Sequence, residues 1–372
     1  MPIIDPVAAP SGVTEFVHEW PASRVVFGAG RIAAVAGETG RYGTRAIMIN
    51  TAAARRPAGW LADCIGEHVV ARITEVVQHV PVAAVDAAVS TARDTHADVV
   101  VCIGGGSATG LAKGIARELD LPIVAVPTTY AGSEMTSIWG LTDKGAKTTG
   151  RDPVVRPRTV VYDPELTVDL PAPLTVTSGI NATAHCVEAL YASDSSPLAQ
   201  LVAAEGIRSI STALPVLLDT PNDLGARAIA MRGAWLAGWS LEVSTTGLHH
   251  KLCHVLGGLL DLPHSPLHTV LLPYAVAHMA PAAPAQTQIL LQSLGLDGPL
   301  FDAGGLIWEH HRALRTATSL RDIGMRHADL DRAVDMAAAA LANSTPSPRP
   351  ASAKDVRHLI TAAWKGQRPA SA

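Results

Sequence analysis

Residues Val99-Val100-Val101-Cys102-Ile103 run straight into Gly104-Gly105-Gly106-Ser107 and then into an Ala/Leu-rich segment of helical period. An unbroken apolar run of this length reads as a strand buried on both faces. A strand that turns through glycine into a helix is half of a βαβ unit. Val25-Val26-Phe27, Ala46-Ile47-Met48-Ile49 and Ile123-Val124-Ala125-Val126 repeat the pattern between Arg24 and Asp163, with helical segments over 83–96 and 108–119. The alternation predicts a parallel sheet with helices on both faces. After Asp163-Pro164 the strand signal stops. Residues 174–216, 225–243, 248–260, 268–280 and 302–323 carry helical periodicity, and 343–350 reads as a Ser/Pro-rich loop before a last helix over 353–364. The expected organisation is an α/β nucleotide-binding domain, residues 1–163, followed by an all-α domain, residues 164–372; 372 residues exceed what one core usually serves.

Two glycine turns compete for a nucleotide. Gly28-Ala29-Gly30-Arg31-Ile32-Ala33 follows a strand and fits GxGxxA, but no acid stands about twenty residues on to hold a ribose, so a tight turn without a ligand is the better reading. The run Gly104-Gly105-Gly106 with Ser107 as expected N-cap lets the backbone approach a pyrophosphate at a helix N-terminus. Pro127-Thr128-Thr129-Tyr130-Ala131-Gly132-Ser133-Glu134 brings hydroxyls and a second turn to the same carboxyl edge of the sheet, where α/β proteins bind ligands. Asn50 closes the second strand. An acid there would favour NADH, whereas an amide permits NADH and NADPH alike.

The helical half carries the chemistry. His250 and His254 are four apart, so both imidazoles share one helix face, and His264 returns ten residues later after a proline. Asn181 and His185 have the same four-residue spacing. Three imidazoles and one oxygen would make a divalent-metal site, but Asn181 is a neutral, weak ligand where a carboxylate is expected. The chain therefore reads as built around a metal pocket whose oxygen ligand is too weak to require a metal. His249 and His268 read as structural. Lys251 is expected off the His250/His254 face, and Arg151 and Arg156 stay unassigned as carriers of substrate charge.

A net charge of −4 gives no field for nucleic acid. Cys64, Cys102, Cys186 and Cys253 are scattered and read as reduced thiols of a cytoplasmic protein. Residue 253 reads as a buried apolar thiol rather than a nucleophile.

At Gly104 to Lys113, Pro127 to Thr142, Lys147 to Pro153, Tyr162 to Leu166, Asn181 to Tyr191 and Gly247 to His254, the chain resembles the iron-containing alcohol dehydrogenase superfamily. Within it, the chain resembles the maleylacetate reductase branch. The likeness runs from Val25 to the C-terminal helix. It implies a dehydroquinate synthase-like architecture with the active site between the two domains. It also implies a cytoplasmic homodimer that reduces the carbon–carbon double bond of a small dicarboxylate with NADH or NADPH, in the breakdown of aromatic compounds. By position, Gly105, Gly106 and Ser107 would hold the pyrophosphate; Thr128, Thr129 and Ser133 would line the nicotinamide side; and Lys147 would lie near the ribose. The ligand positions of metal-dependent relatives correspond to Asn181, His185, His250 and His264, and the branch's departure at Asn181 leads us to expect no metal. His254 falls where the family keeps a histidine facing substrate. With no cation to polarise the substrate, we expect His250 and His264 to donate hydrogen bonds to the developing enolate, His185 to complete the set, and His254 to act as general acid. The alternatives are a metal-dependent alcohol or polyol dehydrogenase, a lyase of the dehydroquinate synthase type, and a nucleotide-binding module without catalysis.

Overall fold

A computed structural model describes residues 23–370, except 79, 144, 145 and 343–346 and the side chains of 146 and 147. Eight strands lie in the described chain: β1 (Arg24–Phe27), β2 (Ala46–Asn50), β3 (Val69–Ile73), β4 (Val99–Gly104), β5 (Ile123–Pro127), β6 (Ile138–Asp143), β7 (Ala146–Arg151) and β8 (Thr159–Tyr162). Six of them form one all-parallel sheet in the order β1-β8-β5-β4-β2-β3, while β6 and β7 pair as a separate antiparallel hairpin. Every residue of β2, β4 and β5 is buried. That explains the unbroken Val/Ile runs, since each face must be covered and each buried branched side chain contributes about 1.5–3 kcal/mol. Helices α1 (Val35–Thr39) and α2 (Arg55–Ile65) pack on one face, and α3 (Val82–Asp94) and α4 (Gly106–Leu119) on the other.

The remaining helices are α5 (Ala172–Tyr191), α6 (Pro197–Asp219), α7 (Leu224–Glu242), α8 (Leu248–Leu260), α9 (His264–Met279), α10 (Pro284–Leu294), α11 (Ala303–Ala313), α12 (Leu330–Ala342) and α13 (Ala353–Lys365). The single helix expected over 174–216 is two. The chain breaks after Tyr191, and Ser196 caps α6 by accepting from Ala199 N at 3.1 Å, with Pro197 in the first turn. The segment expected over 302–323 stops at Ala313, and Arg315 takes a left-handed φ of 58°. Helices α1, α2, α10 and α12, strands β3 and β8 and the hairpin were not anticipated. By length and composition α6 could cross a membrane, but half of its apolar stretch is buried, and it packs against α5 and α7.

Register sets up the site. Gly104 of β4 stands opposite Pro127 of β5, and Asn50 of β2 opposite Ile103, so the turns after β4 and β5 emerge side by side. The turn after β5 meets α7 at a glycine pair. Gly132 has φ +79°, and a Cβ on it would lie 3.2 Å from Gly238 Cα. Only glycine meets both the conformation and the closeness. Glu242 at the end of α7 fastens the hairpin. Its carboxylate accepts from Ser137 N and Oγ at 2.8 and 3.0 Å, and it pairs with Arg151 and Arg156 at 3.3 and 3.2 Å.

Candidate active site

The β4 turn, the β5 turn, the hairpin, α5 and α8 enclose a cleft of about 510 Å³. Helix α4 begins at Gly106 with Gly105 as N-cap. No side chain caps that end, so Ser107 belongs to the first turn rather than to the cap position expected. Gly106 and Ser107 line the cleft, and Ser133 Oγ is buried there without a hydrogen-bond partner among the described residues. Gly104 and Gly105 lie just behind. A Cβ on Gly105 would meet the Thr129 side chain at 3.0 Å, and Thr128 N donates to Gly104 O at 3.0 Å. Thr128 and Thr129 thus shape the turn rather than the cleft wall. Lys147 stands opposite Thr142 in the hairpin, and its side chain lies outside the described residues.

Asn50 is a correction. It is the last residue of β2 and fully buried, with Nδ2 donating to Thr51 O at 3.1 Å and Oδ1 accepting from Arg72 at 3.5 Å. An amide tied at both ends cannot reach a ribose. The competing GxGxxA turn is a structural device. Gly30 N and Ile32 N donate to the buried Asp163 carboxylate at 3.2 and 2.9 Å, so that carboxylate stands where a phosphate would.

Helix α5 and the start of α8 and α9 bring the polar groups together. Asn181, His185, His250, His254 and His264 all line the cleft. The His185 and His250 ring centroids are 4.9 Å apart, and those of His250 and His254 6.2 Å. His268 lies behind them, fully buried, with its ring 4.8 Å from His250 and 4.4 Å from His264. His249, His250 and His268 bring ring nitrogens within 4.8 Å of one another, but only His250 of the three faces the cleft. Burial holds His185, His250 and His268 well below the ordinary histidine range, and the neighbouring imidazoles add to the effect. These rings are neutral at pH 7.

A residue missed from the sequence organises this group. Glu188 of α5 is buried; its carboxylate accepts from His250 Nδ1 at 3.2 Å, from His249 N at 3.0 Å and from Gly247 N. It therefore caps α8 and fixes the tautomer of His250 at once. With its proton on Nδ1, neutral His250 presents a bare Nε2, which is buried and unpartnered among the described residues. His250 is therefore an acceptor or ligand at the cleft, and the donor role expected for it is corrected. The signal was present: Asn181, His185 and Glu188 stand at i, i+4 and i+7, one helix face.

Lys251 is also corrected. Gly247, His250, Lys251 and His254 line the cleft together at i, i+3, i+4 and i+7, so the apical stripe of α8 includes the lysine. Arg151 reaches the cleft too. Its guanidinium donates to the carbonyls of Leu241, Glu242 and Ser244 at 2.8–3.0 Å, which clasps the hairpin to α7. Lys113 Nζ donates to Ser133 O, Thr136 O, Thr136 Oγ1 and Ile138 O at 2.7–3.0 Å; burial brings its pKa down to about 7, while those oxygens favour the ammonium form. No Asp or Glu lines the cleft among the described residues. Cys253 is buried away from the cleft, and burial pushes its thiol up, as expected for an inert residue.

This architecture matches known proteins over nearly its whole length. The model of "Iron-containing alcohol dehydrogenase" matches residues 22–164, and "Fe-containing alcohol dehydrogenase family, C-terminal" matches 175–364. The chain belongs to the iron-containing alcohol dehydrogenase family, whose members are NAD(P)-dependent oxidoreductases. It is 44% identical over 358 residues to the maleylacetate reductase of Sphingobium indicum, covering 96% of this chain and 100% of that one. To maleylacetate reductase 2 of Cupriavidus pinatubonensis it is 46% identical, covering 96% and 99%. The crystal structure of maleylacetate reductase from Agrobacterium tumefaciens superposes with a TM-score of 0.88 at 42% identity, covering 95% and 99%.

Proposed function

We propose that this protein is an oxidoreductase that reduces the carbon–carbon double bond of maleylacetate to 3-oxoadipate, using NADH or NADPH, as a cytoplasmic homodimer. The observation that carries the reading is a cleft lined by Lys113, Arg151, Lys251, four imidazoles and two amides, with no carboxylate among the described lining residues. Such a wall suits a dianion beside a dinucleotide and is poorly suited to a neutral alcohol.

The bound nicotinamide supplies the hydride. The residues of the chain do the rest. Gly106 and Ser107 at the uncapped start of α4 receive the pyrophosphate, and Ser133 faces the nicotinamide side. As hydride reaches the double bond, negative charge grows on the keto oxygen; His264 donates a hydrogen bond to it, and His254 delivers the proton to the neighbouring carbon. Glu188 holds the His250 ring in register.

The family name implies a metal, and the residues that would hold one are His185, His250 and His264 with Asn181. Buried unpartnered Asn181 Oδ1 and His250 Nε2 fit a cation, and Glu188 behind His250 is the carboxylate–histidine arrangement found at metal ligands. A divalent ion there would polarise the substrate's keto group. The donor set is wholly neutral, which favours weak binding, and we propose that the chain's own groups sustain turnover. The test follows NAD(P)H absorbance with maleylacetate, with and without a chelator. Turnover that survives exhaustive chelation supports the reading. Oxidation of simple alcohols that strictly needs added metal, with maleylacetate inert, would replace it with a metal-dependent alcohol dehydrogenase.

A further inference from the structure

We propose that Lys251 is the anchor for one of the two substrate carboxylates, an assignment that rests on the dicarboxylate reading above. Three cations line the described cleft, and two are already engaged. Lys113 is surrounded by four protein oxygens, and Arg151 is bound to three carbonyls and to the Glu242 carboxylate. Lys251 is half-buried and lines the same cleft, yet among the described residues its side-chain ammonium makes no hydrogen bond and no ion pair. A partly desolvated ammonium without a counter-charge is costly to hold, and an arriving carboxylate removes that cost. Lysine suits the task, because a compact charge on a flexible stem can follow a terminal carboxylate without demanding a planar, two-point fit. Position supports it as well. Lys251 adjoins His250 and sits three residues before His254 on the cleft-facing stripe of α8. A carboxylate held there puts the adjoining carbon chain beside the proposed proton donor.

The experiment compares wild type, Lys251→Gln and Lys251→Arg on maleylacetate and on its two monomethyl esters, with NADH binding measured by fluorescence titration. Lys251→Gln is expected to raise KM for the diacid about 10- to 100-fold, the size of one lost charge-assisted hydrogen bond. Its kcat should stay within a few-fold and its NADH Kd should not change. Lys251→Arg should recover much of the loss. One of the two esters, the one whose blocked end would meet the lysine, should be reduced equally well by wild type and Lys251→Gln. An unchanged KM for the diacid in Lys251→Gln, or an equal loss on the diacid and both esters, overturns the assignment while leaving the function intact. A wild type that fails to oxidise NADH with the diacid overturns the functional reading and this assignment together.

Discussion

Acid should unfold this protein early, and the structure sets the scale. His185, His249, His250, His268 and His311 are buried, and burial lowers all five pKa values from the ordinary 6.5, His311 to about 3. Below pH 6.5 the unfolded chain takes up five protons that the folded one refuses. The stability these groups carry is therefore complete above 6.5 and is lost as pH falls beneath it. Each refused proton costs about 1.4 kcal/mol per pH unit. Glu134 and Glu188 oppose the trend. Burial raises both, so the folded state binds their protons first and recovers stability as pH falls. The depressed histidines outnumber the two glutamates, so the net effect is a loss of stability as pH falls below 6.5, drawn from a total of about 5–15 kcal/mol. Urea titrations on chelated protein, followed by tryptophan fluorescence from about pH 7.5 to 5, should show this slope. His311→Gln, at a residue outside the cleft lining, should lower it by one proton's worth. A stability that stays level across that range would refute the neutral, buried cluster on which the site geometry depends.

Three substitutions probe the site itself. His254→Ala should lower kcat by about a hundredfold or more at unchanged NADH affinity, measured by steady-state kinetics, because a general acid is worth about that much. Glu188→Gln leaves one acceptor oxygen for three donors. It should lower stability by about 2–3 kcal/mol in thermal or chemical unfolding and cut kcat at least about tenfold as the His250 ring loses its support. Gly238→Ala would place a Cβ 3.0 Å from Gly132 Cα, where backbone must yield. A loss of about 1–3 kcal/mol and a raised KM for NADH are expected, since the same turn carries Ser133.

The legible parts of the fold are those where burial is one-sided in meaning. Strands β2, β4 and β5 are covered on both faces and so read as solid apolar runs, whereas edge strand β3 contains a half-exposed Val-Val-Ala-Arg-Ile and the hairpin strand β6 is half-buried along its length. Helix α5 is buried from Thr175 to Tyr191, so it lacks the polar face whose interruption would have marked its end. The Ser196-Pro197 cap was the available signal. In the site, the histidine spacing marked the right helices, because imidazoles four apart share a face whatever surrounds them. Lys251 was misplaced because two histidines define a face only loosely, and Gly247 at its head widens the stripe. The direction of His250's proton could not be read locally, since it is set by Glu188 from another helix.

Asn181 bears both on the weak metal site and on the anion-binding cleft, and Asn181→Asp tests both. Residue 181 is buried, lines the cleft beside His185, His250 and His264, and leaves its Oδ1 without a protein partner among those described. A carboxylate there would supply the negative charge that a divalent ion needs, so metal affinity should rise sharply in a calorimetric titration with zinc or ferrous iron. It would also be the first acid on the described wall of a cleft that otherwise suits a dianion. At about 6 Å and an effective dielectric of about 20, the nearer substrate carboxylate would be repelled by about 3 kcal/mol, enough to raise KM for maleylacetate about a hundredfold in the absence of metal. Added metal should then partly restore binding by neutralising the new charge. If Asn181→Asp left both metal affinity and KM unchanged, the amide would not be what separates an anion-binding cleft from a cation-binding one.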